Sequence, residues 1–443
     1  VKDFAISDDP AVQRQLDRLG ELPLPTDKIG LETIETLLER LGNPQRALPP
    51  VFHVAGTNGK GSTCAFLRAM LEADGKRVHV HTKPHLVRYN ERIRIGGELV
   101  SDAMLASLLE EVFDVAGDLP ASFFEITTAA MFLAFHREPA DACVIEVGLG
   151  GRFDATNVLE SPAACGIAAL GVDHADWLLQ EDPTAPPPHP PLVRITFEKA
   201  GIARNGSPLV TQSYPPEVEQ RIAESAAAAG AVLAMRGRDW FAETSPDGIT
   251  YRDTRGELAL PLPTLPGAHQ ADNAALAVAM LRHQDAVPVS DEALAAGIRA
   301  ATWPARLQTL RPGPLTELAG ERPVLLDGGH NEDAAGALAR HLATLGAPVD
   351  AIIGMIKTKD ARAFLRVIAP HVRSLTAVPV SGHDGVEPEE MAAMAREVRL
   401  TAEAALELTA AVEAQAGRSG TLLIAGSLYL AGEVLRLNRE WPQ

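Results

Sequence analysis

Residues 56–63 run Gly56-Thr57-Asn58-Gly59-Lys60-Gly61-Ser62-Thr63. Glycines free of a side chain let backbone N–H groups turn inward on phosphate oxygens. Lys60 adds a full positive charge, and a helix starting near Ser62 would point its positive end at the same place. The chemistry such a loop serves is the holding of a nucleotide's phosphates. Its spacing departs from the usual Gly-x-x-x-x-Gly-Lys-Ser/Thr, because Val54 stands where the first glycine is expected and Gly61 follows the lysine. A plain strand–turn–helix junction is the bland alternative, but a junction needs neither the lysine nor so many glycines.

Other residues add chemistry at apolar strand ends. Glu146 closes the run Val144-Ile145-Glu146-Val147. A buried lone carboxylate costs several kcal/mol unless it is paired or bound to a metal, and the C-terminal end of a strand is where ligands gather in open α/β sheets. Mg²⁺ is the natural use of that oxygen, a salt bridge the duller one. His174, in Gly171-Val172-Asp173-His174, is either a ligand or a strand terminator. Lys199, in Phe197-Glu198-Lys199-Ala200-Gly201, is a solvated lysine or a desolvated, reactive one able to take up CO₂ as a carbamate. Asn273 suits helix capping as well as nucleotide contact. Asp327-Gly328-Gly329-His330-Asn331 suggests a ligand, with Asn331 as a helix N-cap the alternative. His79, His81 and His85 resemble a metal cluster but have no acidic partner nearby in sequence, so no metal site is expected there.

Elements must position these groups. Apolar strand-like runs alternate with helical stretches through most of the chain, the pattern of an α/β protein with parallel sheets. Val51–Ala55 reads as a buried strand, and residues 62–73 as the helix after the loop. Strands are expected at 77–82, 142–147 and 163–170, and helices at 101–116, 126–136, 269–284 and 290–300. Residues 183–191 (PTAPPPHPP) read as a stiff surface loop. Residues 248–263 alternate like an antiparallel hairpin at a sheet edge. After Trp303-Pro304-Ala305-Arg306 the rhythm restarts: strands at 324–327, 351–356 and 375–380, helices at 332–345 and 361–371, then a strand at 422–425 and a helix from Leu428. The expected organisation is a large first domain over 1–300, a linker over 301–308 and a smaller domain over 309–443; the resemblance given below makes the first the ATP-binding one.

Composition narrows the partners. The chain has 443 residues, 46% apolar and 22% charged, with a formal net charge of −18. That surface repels nucleic acid and anionic membranes, so an anionic substrate needs a local cationic pocket. The acidic opening VKDFAISDDP has no apolar core, so no secretory signal is expected. The three cysteines, Cys64, Cys143 and Cys165, are scattered in apolar contexts. They point to a reducing cytoplasm rather than to disulfides or zinc.

Read in order, GTNGKGST, TKPHLVRYNERIRI, EVGLGGRFDATN, DHADWL, EKAGI, LPGAHQADNAA, WPARLQ, LDGGHN and AGSLYLAGEV resemble the folylpolyglutamate synthases, in particular the bacterial bifunctional dihydrofolate synthase/folylpolyglutamate synthases, within the wider Mur ligase superfamily. The resemblance runs from about Gly30 to the end. It implies a P-loop-containing Mur-ligase-like N-terminal domain with a parallel sheet and a smaller Rossmann-like α/β C-terminal domain. It also implies ATP-dependent addition of L-glutamate to dihydropteroate and reduced folates through an acyl phosphate. By that resemblance Thr57, Asn58, Gly59, Lys60, Gly61, Ser62, Asn273, Arg306 and Asp327 would contact nucleotide. Glu146, His174 and Ser62 would hold Mg²⁺, and Lys60, Lys199 (carbamylated in the family) and His330 would be catalytic. The pterin side would use Gly30, Leu31, the Ser122-Phe123-Phe124-Glu125 turn, and Phe153, Asp154 and Ala155. Phe123 and Phe124 suit stacking on a flat heterocycle, or the core. Domain closure would assemble the site, and the protein is expected to act as a monomer, without nucleic acid or membrane. Two departures stand out. Lys83 replaces a serine whose hydroxyl ligates Mg²⁺ in the family, and the connection from His174 to Lys199 is long and proline-rich. They motivate two rival readings, a Mur-type ligase for another carboxylate and a nucleotide-binding relative that has lost catalysis.

Overall fold

The Val51–Ala55 strand, apolar but for His53, is buried along its whole length, as a strand covered on both faces must be. The computed structural model describes residues 6–22 and 30–442. Residues 1–5, which open the acidic N-terminal stretch, lie outside the described residues. The chain divides into two units. The first comprises residues 1–84, 88–264 and 270–302. The second comprises 85–87, 265–269 and 303–443, so two short segments that the sequence places in the first domain belong to the second.

Among the described residues, the first unit holds an eight-stranded sheet. Its order is Glu98–Leu99, Ile93–Ile95, Val78–His81, Ala142–Glu146, Val51–Ala55, Ala164–Ile167, Pro208–Thr211 and Val232–Met235. The last six run parallel, and the first two are joined to them and to each other by antiparallel pairings. Val54 pairs with Glu146 on one side and Gly166 on the other. The loops leaving these three strands at their C-terminal ends are therefore neighbours, although they are far apart in sequence. Lys60–Ala73 and Phe123–Arg137 are helices that the sheet and its neighbours enclose. In the second, every residue from Ile126 to Phe135 is buried, as an all-round apolar helix demands.

Residues 248–263 form the expected antiparallel hairpin, Gly248–Asp253 with Gly256–Leu260, whose second strand is the edge of a separate three-stranded sheet completed by Phe241–Ser245. Other sequence expectations are corrected. The Ser122–Glu125 segment is not a turn but the start of a helix, with Ser122 as N-cap and Glu125 closing a capping box. The proline-rich segment ends sooner than its composition suggests, because Pro191 opens the helix Pro191–Ala200. Proline suits a first helical position, where its missing N–H has no intrahelical acceptor. Lys199 thus sits in the last turn of this helix.

The second unit has a six-stranded sheet ordered Gln308–Thr309, Val324–Asp327, Leu422–Ala425, Val349–Ile353, Val372–Ala377 and Thr401–Ala404. All of its strands are parallel except the first. Asp327 lies at a strand's C-terminal end, while Asp350 lies near the N-terminal end of its own. No helix among the described residues is long and apolar enough to cross a membrane.

Candidate active site

The loop after Val51–Ala55 is fastened from behind. Thr57 and Asn58 donate their amides to the Ala169 carbonyl at 2.8 and 3.2 Å. The Thr57 hydroxyl exchanges hydrogen bonds with the Gly171 carbonyl and amide at 2.9 and 3.0 Å. Gly59, with φ of +83°, caps the helix that begins at Lys60. A Cβ there would come within 2.4 Å of Asn273 Oδ1, so glycine is required for close approach as well as for conformation. Asn273 is therefore no cap: it lies in the second turn of the His269–Arg282 helix, buried, and donates to Gln270 at 3.1 Å.

Two ammonium groups meet at this loop. Lys60 Nζ donates to the carbonyls of Gly56 and Thr57 at 3.0 and 3.1 Å. Lys199 Nζ, 143 positions beyond Gly56, donates to the same Gly56 carbonyl at 2.9 Å. Lys199 is only 5% exposed. Buried lysines are scarce because desolvating an ammonium is costly, so two lysine side chains meeting at one carbonyl are a built feature of this loop.

Lys199 is placed by a buried ionic network that the sequence did not flag. Arg152 pairs with Glu198 and with Asp182, and Arg194 pairs with Glu198 from one turn away. The Arg152 amide donates to the Glu198 carbonyl at 2.7 Å, and a Cβ on Gly151 would come within 2.8 Å of the Glu198 and Lys199 carbonyls. The proline-rich excursion is thus tied through Asp182 to the glycine loop after Glu146. Arg194 and Glu198 at i,i+4 in an otherwise apolar helix were the available signal.

Glu146 is 4% exposed, and its Oε2 accepts the Lys83 amide at 3.1 Å. Lys83 Nζ lies 3.7 Å from Asp154 Oδ1, and both side chains are under 10% exposed. Asp154 also accepts the amides of Gly148 and Leu149 at 2.9 and 3.0 Å, and the Thr156 amide and hydroxyl at 3.0 and 2.5 Å. The Thr156 hydroxyl in turn meets His53 Nε2 at 2.9 Å. Burial pushes the Asp154 carboxyl up, but the Lys83 charge and the bonds from Thr156 and Leu149 outweigh it and hold it at about 2. Burial alone is the main reason that His53 and His81 stay neutral, each lowered to about 3. His79 and His81 meet the backbone carbonyls of Glu138 and Arg92 at 3.0 and 2.6 Å.

The Asp154 shift has a measurable consequence. Its folded value lies about two units below that of an unfolded aspartate, which is worth about 2–3 kcal/mol. That stability is present above about pH 4 and is lost as pH falls toward about 2. Urea unfolding of Asp154→Asn against the parent chain should show the largest gap at neutral pH, closing toward pH 2. A gap that does not change with pH would contradict the ion pairing.

The remaining site residues fall into separate groups. His174, in the left-handed region at φ of 53°, is half exposed with its ring 3.9 Å from Asp173. Ser62 and Gly61 are buried in the first turn of the loop's helix. Among the described residues, no three His, Cys, Asp or Glu side chains gather as a metal centre. Phe123 packs edge-on against Tyr89 and Phe124, with Arg92 beyond, whereas Phe124 presents an exposed ring. Ser122 and Glu125 are engaged with each other. Ala155 is buried against the same apolar cluster, Phe153 lies under the Arg152 guanidinium, and Gly30 and Leu31 precede the helix Glu32–Arg40. In the second unit, Asp327 accepts the amides of Leu307 and Gly329 at 2.9 and 2.8 Å. Arg306 lies against Gly328, and His330 Nδ1 meets the Gly328 carbonyl at 2.9 Å. Asn331 is the N-cap of Glu332–Thr344.

Known proteins match this chain in sequence and fold. A family model described as the dihydrofolate synthetase C-terminal domain matches residues 316–437. The dihydrofolate synthase/folylpolyglutamate synthase of Escherichia coli is 33% identical over 425 residues, 95% of this chain and 94% of its own length. The structure of E. coli FolC in complex with DHPP and ADP superposes with a TM-score of 0.84 at 30% identity, covering 97% of this chain and 98% of that one. A bifunctional folylpolyglutamate synthase/dihydrofolate synthase with Mn, AMPPNP and L-glutamate bound gives 0.83 at 32% identity, covering 96% and 97%. With such identity spread over nearly the whole of both chains, this α/β protein belongs to the dihydrofolate synthase/folylpolyglutamate synthase family of ATP-dependent glutamate ligases.

Proposed function

We propose that this chain joins the amino group of L-glutamate to the carboxyl of dihydropteroate, and likewise extends reduced folates. The γ-phosphoryl group of ATP passes to a carboxylate oxygen, giving an acyl phosphate and ADP. The glutamate nitrogen then attacks the acyl carbon, the C–O bond to phosphate breaks, and the amine loses its proton as phosphate departs. The observation that carries this reading is the convergence of the Gly56–Lys60 loop and Lys199 on one carbonyl, beside the strand that ends in Glu146.

Each group has a defined task. Loop amides and Lys60 neutralise the charge spread over the transferring phosphoryl oxygens. Asn273, Arg306 and Asp327 are proposed as nucleotide contacts, and His330 as a site residue of the second unit. The buried Glu146 oxygens and the Ser62 hydroxyl suit a hard divalent cation beside phosphates. With His174 they would hold Mg²⁺, which supplies further charge neutralisation. Lys199, as its carbamate, would add negative charge there. On the acid side, Gly30, Leu31, Ser122, Phe124, Glu125 and the Phe153–Ala155 segment are proposed to take the pterin, with Phe124 rather than the packed Phe123 offering a ring to stack on it. Purified protein given ATP, Mg²⁺, L-glutamate and dihydropteroate should release ADP and form dihydrofolate. A tetrahydrofolate substrate should be lengthened by glutamate. ADP release independent of the pteroyl acid would refute the assignment.

A further inference from the structure

Lys83 stands where the resemblance places a metal-ligating serine, and the structure shows what it does instead. It engages both buried acids at once with different donors: its amide caps Glu146, and its ammonium faces Asp154. Its stem passes over Gly148, where an added Cβ would meet Lys83 Cδ and Nζ at 3.1 Å. Asp154 is fixed by four hydrogen bonds from Gly148, Leu149 and Thr156. Swinging the ammonium away would leave that carboxylate buried and uncompensated, which folded proteins strongly resist. The neighbouring imidazoles, His53 and His81, are neutral and do not share the role.

An ammonium has no lone pair to give a metal, and it repels a dication placed beside it. The donor set at this corner therefore does not fit a divalent ion, whereas Glu146 and Ser62 do. We propose that Lys83 is a resident cation that replaces one divalent ion at the Glu146–Asp154 corner, so that this ligase works with one metal ion fewer than a chain carrying serine there. The inference rests on the ligase reading above and specifies how its site is charged. It also gives the substitution a purpose other than loss of catalysis: a fixed charge needs no recruitment and does not depend on free metal concentration.

The test is to count Mn²⁺ bound per chain by electron paramagnetic resonance titration at saturating AMPPNP, for the parent protein and for Lys83→Ser. The parent should bind one ion per nucleotide analogue, and Lys83→Ser should bind two. Lys83→Arg, which keeps the charge, should match the parent. Two ions in the parent, or equal counts in parent and Lys83→Ser, would overturn the proposal. The parent count alone decides it should Lys83→Ser fail to fold. Failure of the parent to bind AMPPNP would instead overturn the ligase reading.

Discussion

Lys60→Ala should lower kcat for pteroyl-dependent ADP release by about 10³-fold, the loss typical of removing one preorganised group from a charge-stabilising site. The structure makes this a clean experiment. Among the described residues, Lys60 Nζ bonds backbone carbonyls of its own loop, Gly56 and Thr57. Gly56 keeps a donor in the variant because Lys199 also reaches it. The loop remains pinned through Thr57 to Ala169 and Gly171, and the helix retains its glycine cap. Folding is therefore preserved while the charge is lost. Lys60→Arg should not restore the rate, because a planar guanidinium does not occupy the space of a compact ammonium. Steady-state kinetics with a thermal unfolding control would settle the matter. A variant retaining more than about a tenth of the parent kcat would remove Lys60 from the phosphoryl-transfer step.

Asp350→Ala should destabilise the second unit by about 3–5 kcal/mol, the usual consequence of stripping one partner from a buried ion pair. Asp350 is fully buried and accepts from Arg322 at 2.8 Å, from Ser374 at 2.7 Å and from Arg373. Burial pushes its carboxyl up, yet the bonds from Arg373, Ser374 and Arg322 more than reverse this and hold it far below the usual range. The decisive partner is Arg322, whose side chain is 3% exposed, whereas Arg373 is half exposed and contributes less. Removing Asp350 leaves the Arg322 guanidinium buried with only backbone carbonyls, those of Gln415, Gly420 and Thr421. Urea unfolding followed by a probe in this unit should show the loss. Replacing both partners, Arg322→Met with Asp350→Leu, should recover much of it. A single variant as stable as the parent would show that the pair is dispensable.

The strands bearing chemistry were legible because their mostly apolar runs end abruptly in glycine and polar residues, as at Val51–Ala55 and Val324–Asp327. The phosphate loop was legible for the same reason. What the sequence hid was pairing at a distance. Nothing local says that Lys83 meets Asp154 or that Arg152 meets Asp182, since sheet order, not spacing, makes those residues neighbours. The start of the Pro191–Ala200 helix was masked by prolines, which signal loop and first helical turn alike. Residues 241–260 gave alternation but no indication of which sheet they join. Similarly, Ser122 and Glu125 carried a capping-box spacing that an apolar run beginning at Ile126 concealed.

The order of strands in the first sheet has a practical corollary. The three strands whose ends carry the phosphate loop, Glu146 and the Ala169–Gly171 anchor occupy the middle, with at least two further strands outboard on either side. Remodelling of either border, by grafting a peptide beyond Val232–Met235 or trimming the short Glu98–Leu99 ribbon, is thus insulated from the reacting atoms. An engineer seeking to attach a tag, a tether or a second enzyme has two margins on which to work.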